Sequence, residues 1–253
     1  MPWQPIDCHA HTTMSDGQLP LGELVQVVRA RGVRPGVADH ISGDVSSSIK
    51  SVEGIRAYLA ALEAHDGIAR GGEFCWHDPL WRELPPELAA RFTHRIGSLH
   101  AIFLPGVAKP LNLFSRRIPE GLTPDIYMEA HLDNLERFAR EMPVDILAHP
   151  TLLPLPYREL PIEELWTEPR EERAVESLYR AGIAFEISAR YRAHPRFVKR
   201  AYDRGVRLSL ASDGHTAEQV GDLEFPLAMA RFVGAKPEEL YDPFVHGKRE
   251  WNV

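Results

Sequence analysis

The feature that most constrains this chain is a repeated alternation. A short apolar run ends in a polar residue, and a stretch with helically spaced apolar residues follows. About seven such units can be read along the 253 residues. Parallel strands need long crossovers, so the pattern implies a mainly parallel sheet with right-handed helical connections. A polar residue at nearly every strand end suggests a closed or nearly closed barrel, with an open doubly wound sheet as the alternative. The glycine-rich turn of a dinucleotide-binding sheet is absent after the first strand.

Helices are predicted for Leu19 to Gly32, Val52 to His65, Pro124 to Glu141, Glu171 to Ala181 and Pro195 to Arg204. The last two are closed by Gly182 and Gly205, the usual helix-ending signal. Ile55, Leu59 and Leu62 should face inward on the second helix; Ile126, Leu132, Leu135 and Phe138 should do so on the third. Strands are expected at Val33 to Ala38, Ile68 to Phe74, Arg95 to His100, Val144 to Ala148, Ile183 to Ile187 and Val206 to Ala211. Trp76 to Phe92 reads as an irregular loop with one short helix. The segments holding Lys109, Arg116 and Arg117, and running on to Pro161 after His149, read as loops. No repeat, low-complexity tract or linker divides the chain, so residues 1–253 are expected to form a single domain.

A net charge of −7 argues against a general binder of long nucleic acid or anionic membrane, which would present a basic face. The two cysteines give no disulfide framework, and neither a secretory leader nor a membrane-spanning run is visible. A cytoplasmic protein is expected. The twelve histidines are the more informative count, because imidazole is a common metal ligand.

His9 and His11, in Asp7-Cys8-His9-Ala10-His11, are two residues apart and leave the same face of an extended strand, where they can share one divalent metal. Asp16 brings back a carboxylate. At or just beyond the later strand ends lie His40, Glu73, His100, His149, Asp213 and His215. In an α/β barrel all nine converge on one face. They are too many for one ion and suit two or three, and an imidazole–carboxylate set favours zinc, manganese or iron. Cys8 should point into the core. Cys75 shares the parity of Glu73, and Asp7 is placed either to orient a ligand imidazole or to satisfy local backbone groups.

Asp7-Cys8-His9-Ala10-His11, Ser15-Asp16-Gly17, Asp39-His40, Gly71-Gly72-Glu73, Ile96-Gly97-Ser98-Leu99-His100, Ala148-His149-Pro150 and Ser212-Asp213-Gly214-His215 together resemble the motif series of the PHP (polymerase and histidinol phosphatase) domain, in order and across almost the whole chain. Ile96 to His100 and Phe185-Glu186-Ile187-Ser188 are most similar to the histidinol-phosphatase branch. The resemblance implies a distorted seven-stranded (β/α) TIM-like barrel. It assigns His9, His11, Glu73 and Asp213 to a first metal, Glu73 with His100 and His149 to a second, and Asp16, His40 and His215 to a third.

The expected activity is hydrolysis of a small phosphomonoester, histidinol phosphate or a related compound, by a metal-bridging hydroxide at a trinuclear site. His9, Glu73, Asp213 and His215 carry the catalytic role, and His40 or His215 are the candidates for protonating the leaving group. Arg116, Arg117, Arg158, Arg190 and Arg192 are candidate phosphate contacts. Trp76, Trp81, Phe114, Tyr157 and Trp166 either stack on a flat substrate ring or cap the mouth. After His149, Pro154, Pro156 and Tyr157 depart from the histidinol-phosphatase pattern. Phosphodiester or short single-strand cleavage is the alternative within the same chemistry. An amidohydrolase, or a relative without catalysis, fits less well.

Overall fold

The computed structural model describes residues 3–45 and 47–247. Eleven short strands and nine helices follow one another within them, and the coarse class is the expected one: α/β with parallel sheets. One parallel sheet holds β1 (Ile6–Asp7), β2 (Arg34–Val37) and β4 (Ala69–Arg70), with β2 in the middle. A second runs in the order β11 (Leu208–Ala211), β10 (Ala184–Ser188), β9 (Ile146–Leu147), β6 (Ile96–Ser98), β5 (Glu73–Cys75) and β3 (His40–Ile41). Backbone bonds link the two. Gly71 N donates to Val37 O and Glu73 N to Asp39 O, so β3 and β5 continue the paths of β2 and β4. At the far side Cys8 N donates to Leu210 O and Asp213 N to His9 O, which sets the first strand beside the last.

The helices lie where the periodicity predicts them. They are α1 (Leu21–Ala30), α2 (Val52–Glu63), α4 (Pro124–Glu141), α6 (Glu168–Ala181) and α7 (Pro195–Arg204), with the shorter α3 (Pro86–Ala89) and α5 (Ile162–Leu165) between them. Local chemistry sets their ends. Ser51 Oγ accepts from Gly54 N, and Thr123 Oγ1 accepts from Ile126 N with Pro124 in the first turn. Gly182 and Gly205 take the left-handed conformation, φ 64° and 91°, that closes α6 and α7. Ile55, Leu59 and Leu62 are fully buried. On α4, Leu132, Leu135 and Phe138 are buried, but Ile126 is 54% exposed. It lies six residues before Leu132, about 120° off that stripe at 100° per residue.

Gly97 shows why the strand beneath α4 carries no side chain. A Cβ there would come within 2.6 Å of the Phe138 ring. Small residues also fill the face shared by successive strands, where Cys8 packs with Ile6, Ala38, Ala69, Ile96, Ile146, Ala148 and Ala184. Cys8 is therefore in the core, as its parity predicts.

Two further expectations are corrected. The segment after His100 is not only loop: β7 (Ala101–Ile102) and β8 (Leu111–Asn112) pair antiparallel. Strands of two residues are too short for alternation to reveal. Trp76, Trp81 and Trp166 neither stack in nor cap a mouth, being at most 2% exposed within the core. Their large apolar area outweighs the polar, proline-rich context of their segments. Two further helices, α8 (Glu224–Val233) and α9 (Pro243–His246), follow the last strand. No helix among the described residues is long and apolar enough to cross a membrane.

Candidate metal centre

All nine strand-end residues converge. His9 and His11 follow β1, His100 follows β6, His149 follows β9, and Asp213 and His215 follow β11. His40 and Glu73 open the short strands β3 and β5, and Asp16 sits in the turn before α1. Most of the nine are buried, with Asp16 the most exposed.

Glu73 is the centre. Its Oε2 lies 3.5 Å from His9 Nε2, 3.9 Å from His11 Nε2 and 2.6 Å from His40 Nδ1. Its Oε1 lies 3.2 Å from His100 Nε2 and 3.1 Å from His149 Nε2. The two imidazole pairs also face each other nitrogen to nitrogen, His9 to His11 at 3.1 Å and His100 to His149 at 3.2 Å. His11 Nε2 is 3.4 Å from Asp213 Oδ1. Ligand atoms about 2.0–2.2 Å from a tetrahedral zinc lie roughly 3.3–3.6 Å apart. Most of these spacings come within a few tenths of an ångström of that and could hold shared ions, while His40 and Glu73 at 2.6 Å form a direct ion pair.

Asp16 organises the third group. Its Oδ1 is 3.3 Å from His215 Nε2, 3.5 Å from His40 Nε2 and 3.6 Å from His11 Nδ1. His11 and His40 thus each present one nitrogen to this group and the other toward Glu73. The three groups are tighter than separate ligand sets, because these two rings are shared.

The donor set fits divalent metal on a second count. Asp213 Oδ2 is buried and makes no hydrogen bond, and the buried His40 Nδ1 and Glu73 Oε2 have only their mutual ion pair at 2.6 Å, outside hydrogen-bond geometry. Such groups are costly unless another partner compensates them. Among the described residues the two with positive φ other than glycine are His149 at 30° and Asp213 at 50°. Strained backbone of this kind clusters at functional sites. Gly214 allows the same turn: a Cβ there would meet Val220 N at 2.6 Å.

Charge alternates through the cluster. Burial opposes ionisation of Glu73 and Asp213, yet neighbouring imidazoles hold both well below the usual carboxylate range. Burial also opposes a charge on His40, but Glu73 and Asp16 outweigh it and raise the ring to about 10. His11, buried among His40, His9 and His215, is held down to about 3. Burial holds His100 at about 4.

Behind the ligands sits a supporting layer that sequence reasoning missed in part. Glu186 Oε2 is 2.8 Å from His9 Nδ1, and its Oε1 accepts from His149 N at 2.9 Å. It thereby orients His9 with Nε2 toward Glu73. An acidic residue in the middle of an apolar strand was the available signal. Asp39 accepts from Thr12 N, Thr12 Oγ1 and Ser15 Oγ, fixing the turn that carries Asp16. Cys75 Sγ lies 3.3 Å from His100 Nδ1. Asp7 takes the backbone role: it accepts from His9 N, Ser212 N and Gly221 N, and also from Ser212 Oγ.

The cluster floors a cavity of about 560 Å³. Its walls add Asp44, His77, Asn112, Phe114, Arg190 and Tyr191. Of the five arginines, only Arg190 reaches it, with Nη1 2.5 Å from His215 Nδ1. Arg158 and Arg192 line an adjoining cavity. Arg116 and Arg117 are exposed and line neither. Of the five aromatics only Phe114 lines the site, its ring 5.6 Å from that of His100. The Tyr157 hydroxyl is spent on Leu122 O.

No family model and no curated protein matches this sequence. A solved structure does match: histidinol phosphate phosphatase (HISK) from Lactococcus lactis subsp. lactis Il1403, complexed with zinc, L-histidinol and phosphate. The TM-score is 0.67 over 92% of this chain and 95% of that one, at 15% identity. The two chains share a fold. At that identity the likeness speaks for architecture, while the chemistry of this chain rests on its own side chains.

Proposed function

We propose that this chain is a metal-dependent phosphoesterase that hydrolyses a small phosphomonoester, acting as a single cytoplasmic domain whose strands close into a distorted seven-stranded barrel. The observation that carries the reading is Glu73, whose two carboxylate oxygens face different imidazoles, Oε2 those of His9, His11 and His40 and Oε1 those of His100 and His149. A buried carboxylate in that position is built to bridge two ions. His9, His11, Glu73 and Asp213 would hold one, and Glu73, His100 and His149 a second. Asp16, His40 and His215 would hold a third, with His11 beside them. The cofactor class is zinc, manganese or iron, whose Lewis acidity would supply an acidified water nucleophile and neutralise phosphoryl charge. The zinc, histidinol and phosphate bound to the structural neighbour accord with this reading.

The chain's own groups prepare the rest. Arg190 stands at the cavity wall with its guanidinium beside His215, placed to take non-bridging phosphate oxygens. His215 Nδ1 lies between this donor and the Asp213 carbonyl oxygen, an acceptor 2.9 Å away. Glu186 holds the His9 proton at Nδ1. Phe114 and Tyr191 narrow the cavity against bulk water.

The test is phosphate release from a panel of phosphomonoesters by protein reconstituted with zinc, manganese or ferrous iron, alongside metal analysis. Turnover and bound metal should rise together. Full turnover by metal-stripped protein would overturn the reading.

A further inference from the structure

Next to the metal cavity lies a second one of about 310 Å³, and the two share Arg190 and Tyr191 as a common wall. Its apolar floor includes Leu152, Leu153 and Tyr157, all at most 5% exposed. Its charged residues are Arg158, Arg190 and Arg192, beside the hydroxyl-bearing Thr151, Tyr157 and Tyr191, with no carboxylate in the lining. Like Arg29, Arg31 and Arg70, which donate to backbone carbonyls, they stand outside the ion pairs of the protein; what is particular to them is that three meet in one cavity. Among the described residues none of the three has a carboxylate within 4 Å, whereas Arg170, Arg173, Arg196, Arg200 and Arg204 are all in ion pairs.

Arg158 and Arg192 are tethered without being neutralised, and Arg190 leans on His215 Nδ1. Arg158 donates through Nε to Leu153 O and through Nη2 to Leu113 O, and Arg192 Nε donates to Ala189 O. Backbone carbonyls fix the planes and leave the positive charges uncancelled. Arg158 and Arg190 both lie over the Tyr191 ring at 5.6 Å, and that ring meets the edge of His149 at 5.3 Å. Tyr191 and Arg190 thus belong to the lining of both cavities, with His149 against the tyrosine ring in one and Arg158 over it in the other.

We infer that the second cavity seats the leaving-group half of the substrate, and that this half is an apolar body ending in a second anion, a carboxylate or a phosphate. The inference rests on the phosphoesterase reading and narrows its substrate class. Uncancelled guanidiniums in a half-enclosed apolar cavity attract an anion and repel an ammonium group. A cationic amino alcohol is therefore the wrong leaving group for this cavity, although the structural neighbour binds L-histidinol. The segment that builds the floor, Leu152 to Tyr157, is the stretch whose prolines depart from the histidinol-phosphatase pattern.

The experiment compares four series of linear alkyl phosphates of graded length on metal-reconstituted protein. Their far ends are a carboxylate, a second phosphate, a methyl group or an ammonium group. At the best length an anionic end should raise kcat/KM about tenfold or more over methyl, the scale of one charge-assisted hydrogen bond, and an ammonium end should lower it. The carboxylate and phosphate arms decide which anion is preferred. In Arg192→Gln the anion-to-methyl ratio should collapse toward one. Calorimetry with the matching non-hydrolysable alkyl phosphonates supplies a readout independent of turnover. Equal kcat/KM for anionic and methyl ends, with good turnover of both, overturns this inference and leaves the phosphoesterase reading standing. No turnover of any ester, together with anion-selective phosphonate binding that Arg192→Gln abolishes, overturns that reading and keeps the site. Binding indifferent to the far end overturns the inference whatever the turnover.

Discussion

Two charged regions of this protein are built on opposite rules. Along α4, α6 and α7 most cations meet carboxylates. Arg173 reaches Glu136, Asp133 and Glu129 at 2.7 to 3.0 Å, and Glu171 gathers His194, Arg196 and Arg200 at 2.8 to 3.1 Å. At the strand ends, imidazole nitrogens point at imidazole nitrogens, two residues with positive φ are tolerated, and buried carboxylate oxygens lack hydrogen bonds. The first region compensates charge locally and serves the fold. The second keeps its donors aimed at points between them, in groups that could hold a metal ion.

Substitutions should separate the regions by size of effect. The largest belongs to Glu73→Ala, which should abolish turnover and lower bound metal while the circular dichroism spectrum stays native. Retained metal and activity would break the comparison. Acid stability comes next. His131, inside α4, is buried like the cluster residues but has the Tyr127 hydroxyl as partner and no carboxylate, and burial holds its ring at about 4. The folded state therefore resists protonating a group that the unfolded chain protonates below about 6.5, so stability is full above that value and falls between it and about 4. The expected loss is roughly 3 kcal/mol by pH 4. Urea titrations should show a shallower acid slope in His131→Phe.

Glu186→Ala should then weaken metal affinity or turnover by about 10- to 100-fold, since it orients a ligand without being one. Isothermal titration of the metal-stripped protein would check it, and an unchanged affinity would remove Glu186 from the site. The smallest effect is expected on the helix face. Arg173→Ala should cost under about 1 kcal/mol in thermal unfolding, and less in high salt, because its partners are largely exposed. A larger loss would mean that this lattice also carries the fold.

Eight of the nine ligand candidates were legible because each follows or opens a strand, and parallel strands with helical crossovers bring such positions to one end; Asp16, in the turn before α1, was legible only from its place after His9 and His11. The helix stops at Gly182 and Gly205 and the span Pro124–Glu141 were legible for equally local reasons. Other features escaped a linear reading. Trp76, Trp81 and Trp166 sit among polar and proline residues, and only packing shows that they are core. Helix α8 carries Pro226 in its first turn, which masks its start. Arg116, Arg117, Arg158, Arg190 and Arg192 look alike in sequence, yet only the last three line cavities.

The sequence by itself determined the class of fold and the chemistry of the donor set, because strand periodicity, helix caps and residue type are local properties. Tertiary structure alone decided how the donors are shared. His11 and His40 each turn two nitrogens toward different carboxylates, and Glu186 reaches His9 from 177 residues away. Tertiary structure also decided which arginines keep their charge uncancelled. Both outcomes depend on distances between residues remote in the chain, which no spacing along the sequence encodes.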